Sequence, residues 1–162
     1  MYQYCEGKVG SILTKCELFS DNINEEIKSK KPKDWTPEFC EYVYTEVKKQ
    51  GLWITNLAKC TQNDARPLPD NIFIQYKDLL KEELKLINPQ KIFFFGNQVS
   101  SIMLEQPIAV STTRQKKFSL EIDGKEFESY ALFYPVGNGI FNQHKTIEDI
   151  KNIIDIKNKK IR

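Results

Sequence analysis

One short run constrains this chain more than any other. Lys91-Ile92-Phe93-Phe94-Phe95 is apolar without alternation, and Pro89 and Gly96-Asn97 bound it. A strand that is apolar on both faces must be covered on both faces. In water that means helices on either side of a largely parallel sheet. The flanks agree. Residues 70–88 carry Ile72, Tyr76, Leu79, Leu80, Leu84 and Ile87 on one side of a helix that Asp70 can cap. Residues 97–104 read as a short helix.

The same alternation extends both ways. Val9, Ile12, Leu13 and Cys16 predict a helix within 7–18. Thr36 and Pro37 open a helix over 37–50, with Phe39, Val43 and Val47 four apart and Gly51 closing it. Residues 53–57 form a short strand. Residues 118–122 and 126–130 flank Asp123-Gly124, a hairpin signal, and 131–134 continue as a core strand. Thr146 caps a last helix over 147–157, with Ile147, Ile150, Ile153 and Ile154 inward. The polar stretches 19–34, 61–69 and 135–139 read as loops. The fold class is α/β: three α/β/α layers around a central, mainly parallel sheet, with a β-hairpin near 118–130. A single domain, 1–156, precedes a basic tail, 157–162.

A net charge of +2 over 162 residues excludes a whole-molecule basic field, so any nucleic-acid contact must come from local clustering. No apolar run approaches the roughly 20 residues of a membrane span, and the first residues carry no signal-peptide pattern. A cytoplasmic monomer without a membrane partner is the expectation. Cys5, Cys16, Cys40 and Cys60 form no CxxC pair, so free thiols and no metal are expected.

In an open α/β sheet, ligands bind beyond the carboxyl ends of the strands. Those ends are Asn56, Gly96 and Tyr134-Pro135. An asparagine amide offers an acceptor and two donors, so it suits a ligand that presents C=O beside N–H, such as a nucleobase. The alternative is that Asn56 only caps the turn after a strand. Gly96-Asn97 could instead cradle a phosphate at a helix start, but no GxGxxG or Walker pattern accompanies it.

Four stretches, in order, resemble the uracil-DNA glycosylase superfamily, nearest its thermostable iron–sulfur branch. Gly7-Lys8-Val9-Gly10-Ser11-Ile12-Leu13 is similar to the segment after the family's first motif. Trp53-Ile54-Thr55-Asn56-Leu57-Ala58-Lys59-Cys60 is similar to the strand with the base-reading asparagine and its Lys-Cys pair. Ile87-Asn88-Pro89-Gln90-Lys91, running into Gly96, resembles the family's central strand. Phe133-Tyr134-Pro135-Val136-Gly137 stands where the family has His-Pro-Ser. The sequence departs from the pattern as well. It starts beyond the place of a Gly-Glu-Ala-Pro-Gly motif and its catalytic carboxylate. Cys5 stands where an aromatic stacks on the base, with Tyr4 beside it. Tyr134 replaces the catalytic histidine. Cys60 matches one cluster ligand, but its partner's place falls at 74–76, so no cofactor and no 4Fe-4S cluster are expected.

The resemblance implies base-excision repair: hydrolysis of the N-glycosyl bond of uracil, or a related deaminated base, in DNA. Such an enzyme flips the base and reads its edge. Asn56 would accept from N3–H and donate to O4, a pattern that cytosine reverses. Tyr134 would donate to O2 as charge develops there; otherwise it is a core tyrosine bonded to a backbone carbonyl. Asp64 is the nearest candidate to activate water. Gly96, Tyr4 and Cys5 would complete the base pocket. Gly137-Asn138-Gly139 would approach the DNA backbone, and Ile140 and Phe141 would wedge into the base stack or pack on the core. Lys59, Arg66 and His144 would meet phosphates, with His144 alternatively a plain surface residue. The competing reading is a catalytically inactive member of the same fold that binds DNA, a nucleobase or a protein partner.

Overall fold

The computed structural model describes residues 8–60 and 68–154. The chain is α/β. It falls into two compact units, Met1–Ile54 with Pro135–Arg162, and Thr55–Tyr134.

The first unit is helical. Helix α1 (Lys8–Lys15) buries Val9, Ile12 and Leu13, with Cys16 just beyond its end. Helix α2 (Asp21–Ser29) is a correction, because this polar stretch reads as a loop. Its Ile23 and Ile27 lie one turn apart and are both 5 % exposed, and Phe19 ahead of them is buried too. Two well-placed isoleucines therefore outweigh the polar majority, and Lys28, the one lysine of the helix, stays on the solvent side. A 3₁₀ turn follows at Pro32–Asp34.

Helix α3 (Pro37–Lys49) starts as expected, with Thr36 Oγ1 accepting from the Phe39 N–H at 3.2 Å. It ends with Gly51 N–H donating to Lys48 O and Leu52 N–H to Val47 O, the paired bonds of a Schellman closure. Val43 and Val47 join Val9, Leu13 and Ile23 in one core cluster. The unit resumes with a 3₁₀ turn, Gly137–Asn142, in place of the expected loop, and helix α7 (Gln143–Ile154). Thr146 is fully buried inside α7 instead of capping it, and its hydroxyl donates to Asn142 O.

The second unit holds the sheet. Helix α4 (Asp70–Ile87) leads to strand β1 (Ile92–Phe95) and helix α5 (Asn97–Met103). A short helix α6 (Val110–Thr113) precedes strands β2 (Phe118–Ile122) and β3 (Lys125–Leu132). The order is β1-β3-β2, with β1 parallel and β2 antiparallel to β3. Register pairs Phe94 with Ala131, and Leu120 with Phe127. Asp123 and Gly124, at φ 50° and 77°, make the tight hairpin turn their sequence predicts. On one sheet face Phe94, Phe118, Leu120, Phe127 and Ala131 pack with Leu80 and Leu84 of α4.

Three expectations fail here. Residues 53–57 are not a strand: no ladder bonds form along them among the described residues, and Trp53 is 57 % exposed. Leu52 and Ile54 pack with the first unit's cluster and Leu57 with the second unit's, so the segment is a crossing between cores. Asp70 opens α4 as its first helical residue, after Pro69, and does not cap it. Leu79, given to the apolar side of α4, is 49 % exposed, and Phe73 packs on the core instead.

Candidate functional site

The carboxyl end of β1 turns sharply at Gly96. Its φ of 93° is a conformation that side-chain-bearing residues rarely adopt, and a Cβ there would lie 3.4 Å from Tyr134 Cβ. The Gly96 N–H donates to Leu132 O at 2.7 Å, so the ends of β1 and β3 are tied directly. Gly96 and Tyr134 are therefore neighbours. Tyr134 is 48 % exposed. A core tyrosine is thus excluded.

Polar bonds fix α5 and the start of α4 around this turn. Asn97 Oδ1 accepts from the Val110 N–H at 3.0 Å. Gln98 Nε2 donates to Leu68 O at 2.9 Å and to Asp70 Oδ1 at 2.6 Å. Ser100 Oγ donates to Gly96 O at 2.7 Å. None of these roles has a local sequence signal, because each partner is remote in the chain or a main-chain atom.

Asn56 is exposed, while Leu57 and Ala58 immediately after it are buried at 5 % and 8 %. Leu57 belongs to the cluster that holds Phe94 and Met103. The asparagine thus projects from a seated segment. Lys59 is engaged: its Nζ lies 2.6 Å from Thr55 Oγ1 and 2.8 Å from Glu83 Oε2 on α4. Sequence reasoning passed over Glu83, which is one of several charges along an amphipathic helix.

Gly137, Gly139, Ile140 and Phe141 lie in the 3₁₀ turn of the first unit, with Asn138 between the glycines. Phe141 is 79 % exposed and Ile140 44 % exposed, so Phe141 does not pack onto a core. Gln143 Nε2 donates to Pro135 O at 2.9 Å, which fixes the chain entering this turn. His144 is exposed in the first turn of α7. Tyr4, Cys5, Asp64 and Arg66 lie outside the described residues.

The thiols differ sharply. Cys16 is fully buried and donates to Ile147 O at 3.8 Å, and burial pushes its pKa up to about 11. Cys40 is half-buried and Cys60 exposed. Among the described residues no three His, Cys, Asp or Glu side chains gather as metal ligands.

No curated protein matches the chain. The model of one family, described as the uracil DNA glycosylase superfamily, matches residues 17–153. That span takes in α2 through most of α7, including Asn56, Gly96 and Tyr134, and the chain belongs to this superfamily.

Proposed function

We propose that this protein removes uracil, or a related deaminated base, from DNA by hydrolysing the N-glycosyl bond. The observation that carries the reading is the exposed amide of Asn56 beside the buried Leu57 and Ala58. A base extruded from the duplex would meet this amide, which accepts from N3–H and donates to O4. Cytosine presents the opposite pattern, and a polar site built for one pattern rejects the other. Bond breaking passes through an oxocarbenium-like state, with negative charge growing on the departing base. The Tyr134 hydroxyl would donate to O2 as that charge develops, and Gly96 keeps the ground beside it free of side chain. Ile140 and Phe141 are exposed apolar side chains of the kind that wedge into a base stack. Asp64 is the proposed activator of water.

Asn56→Ala is expected to cut single-turnover excision of uracil roughly a hundredfold, the scale of losing one donor to a developing charge. The assay measures abasic product from single- and double-stranded DNA containing uracil. Tyr134 in the histidine's place favours a second reading, a member that binds DNA without cutting it. Tight binding of uracil DNA by folded protein with no abasic product would establish that alternative and overturn the first.

A further inference from the structure

We propose that Lys59 is the positioning residue for Asn56, and not a contact to the DNA backbone. The proposal rests on the reading of Asn56 as the residue that meets the base. Residues 53–59 have neither helix nor ladder among the described residues, so no repeating backbone bonds fix the direction of Asn56. Leu57 and Ala58 seat the segment from below, but apolar contact is not directional.

The directional bonds come from one ammonium. Lys59 Nζ donates to Thr55 Oγ1 at 2.6 Å, closing a ring across residues 55–59 with Asn56 on its outer side. The same Nζ pairs with Glu83 Oε2 at 2.8 Å, which anchors the ring to the middle of α4. Both charged side chains are largely shielded, 22 % and 26 % exposed. A charge-assisted bond in such a setting is stronger and better aimed than an exposed ion pair. Glu83 also cancels the charge that a phosphate would seek. Small misplacement of a positioning group carries large rate penalties, so this ring would set the rate without touching the base.

The test compares Lys59→Met, Glu83→Gln, their double variant and the near-isosteric Thr55→Val. Single-turnover excision, DNA affinity with its salt dependence, and hydrogen exchange of amides 55–60 in the free protein are measured. A positioning role gives about a tenfold or greater fall in rate for each of the two charge variants. The double variant loses no more than the worse single one. Affinity and salt slope stay unchanged, amides 55–60 exchange faster, and Lys59→Arg restores most of the rate. A phosphate contact gives another result and overturns the proposal: Lys59→Met weakens DNA binding and lowers the salt slope by about one, while Glu83→Gln does not slow excision. If the unsubstituted protein excises nothing, the functional reading fails separately. Exchange at 55–60 then decides, and no change in Lys59→Met or Thr55→Val overturns the positioning role.

Discussion

Glu128 shows how much one side chain can gather. Lys91 and Lys117 pair with its carboxylate, and the Tyr130 hydroxyl donates to it at 2.9 Å. These donors, the Lys91 bond first, pull its pKa down to about 2. A carboxyl held lower in the folded state stabilises the fold above its ordinary range near 4.5, and that contribution fades as pH falls toward about 2. Glu128→Gln should therefore cost about 1 kcal/mol at pH 7, given partial solvent screening, and nothing near pH 2. Urea melts at the two pH values measure it. The thiols give a second check at this scale. At pH 8 a maleimide should label Cys60 in the folded protein, whereas Cys16, buried and with its pKa raised to about 11, should react only on unfolding. Asn56 was legible as a residue because an amide at the end of an apolar run is unusual. The bond network of Lys59 was not, since Glu83 lies 24 positions away and only folding brings the two together.

Among the elements, helix ends and glycine turns follow local rules and were readable. Thr36, Pro37 and Gly51 bracket α3 as their chemistry requires. Thr36→Ala should cost about 1 kcal/mol by thermal melting, through the lost bond to the Phe39 N–H. Gly96→Ala meets one obstacle, a φ of 93° that L side chains rarely adopt, and its Cβ would sit in contact with Tyr134 Cβ at 3.4 Å. It should destabilise by roughly 1–3 kcal/mol, and relief of that strain beside Tyr134 should lower excision more than the melting temperature alone explains. Helix α2 and residues 53–57 were misread for opposite reasons. In α2 the polar and charged majority masked two isoleucines one turn apart. In 53–57 the β-branched residues suggested a ladder, but Ile54 packs with one core and Leu57 with the other. Propensity reports local preference, and neither burial nor pairing partners are local quantities.

At the level of the molecule, each unit has its own apolar cluster. In the second unit β3 is the central strand, paired on both sides, and its Ala131 and Leu132 are 1 % and 0 % exposed. Native-state hydrogen exchange should find the slowest amides of that unit there, with β1 and β2 opening sooner. Equal protection along all three strands would contradict this ranking. The alternation of helices and strands was visible in the sequence, because periodicity is a property of the chain itself. The division into units was not, since the first unit draws on residues from both ends of the chain.

That division sets an order of events during synthesis. The second unit is continuous, so all its strands and helices are synthesised before α7. Helix α1 must wait for α7, as the Cys16 and Ile147 contact spans 131 positions. At about 5–20 residues per second, that wait is on the order of ten seconds. Throughout it, the buried face of α1 lacks its last cover. The nascent chain therefore passes through a stage in which the first helix has been made and is still a surface that a chaperone can hold.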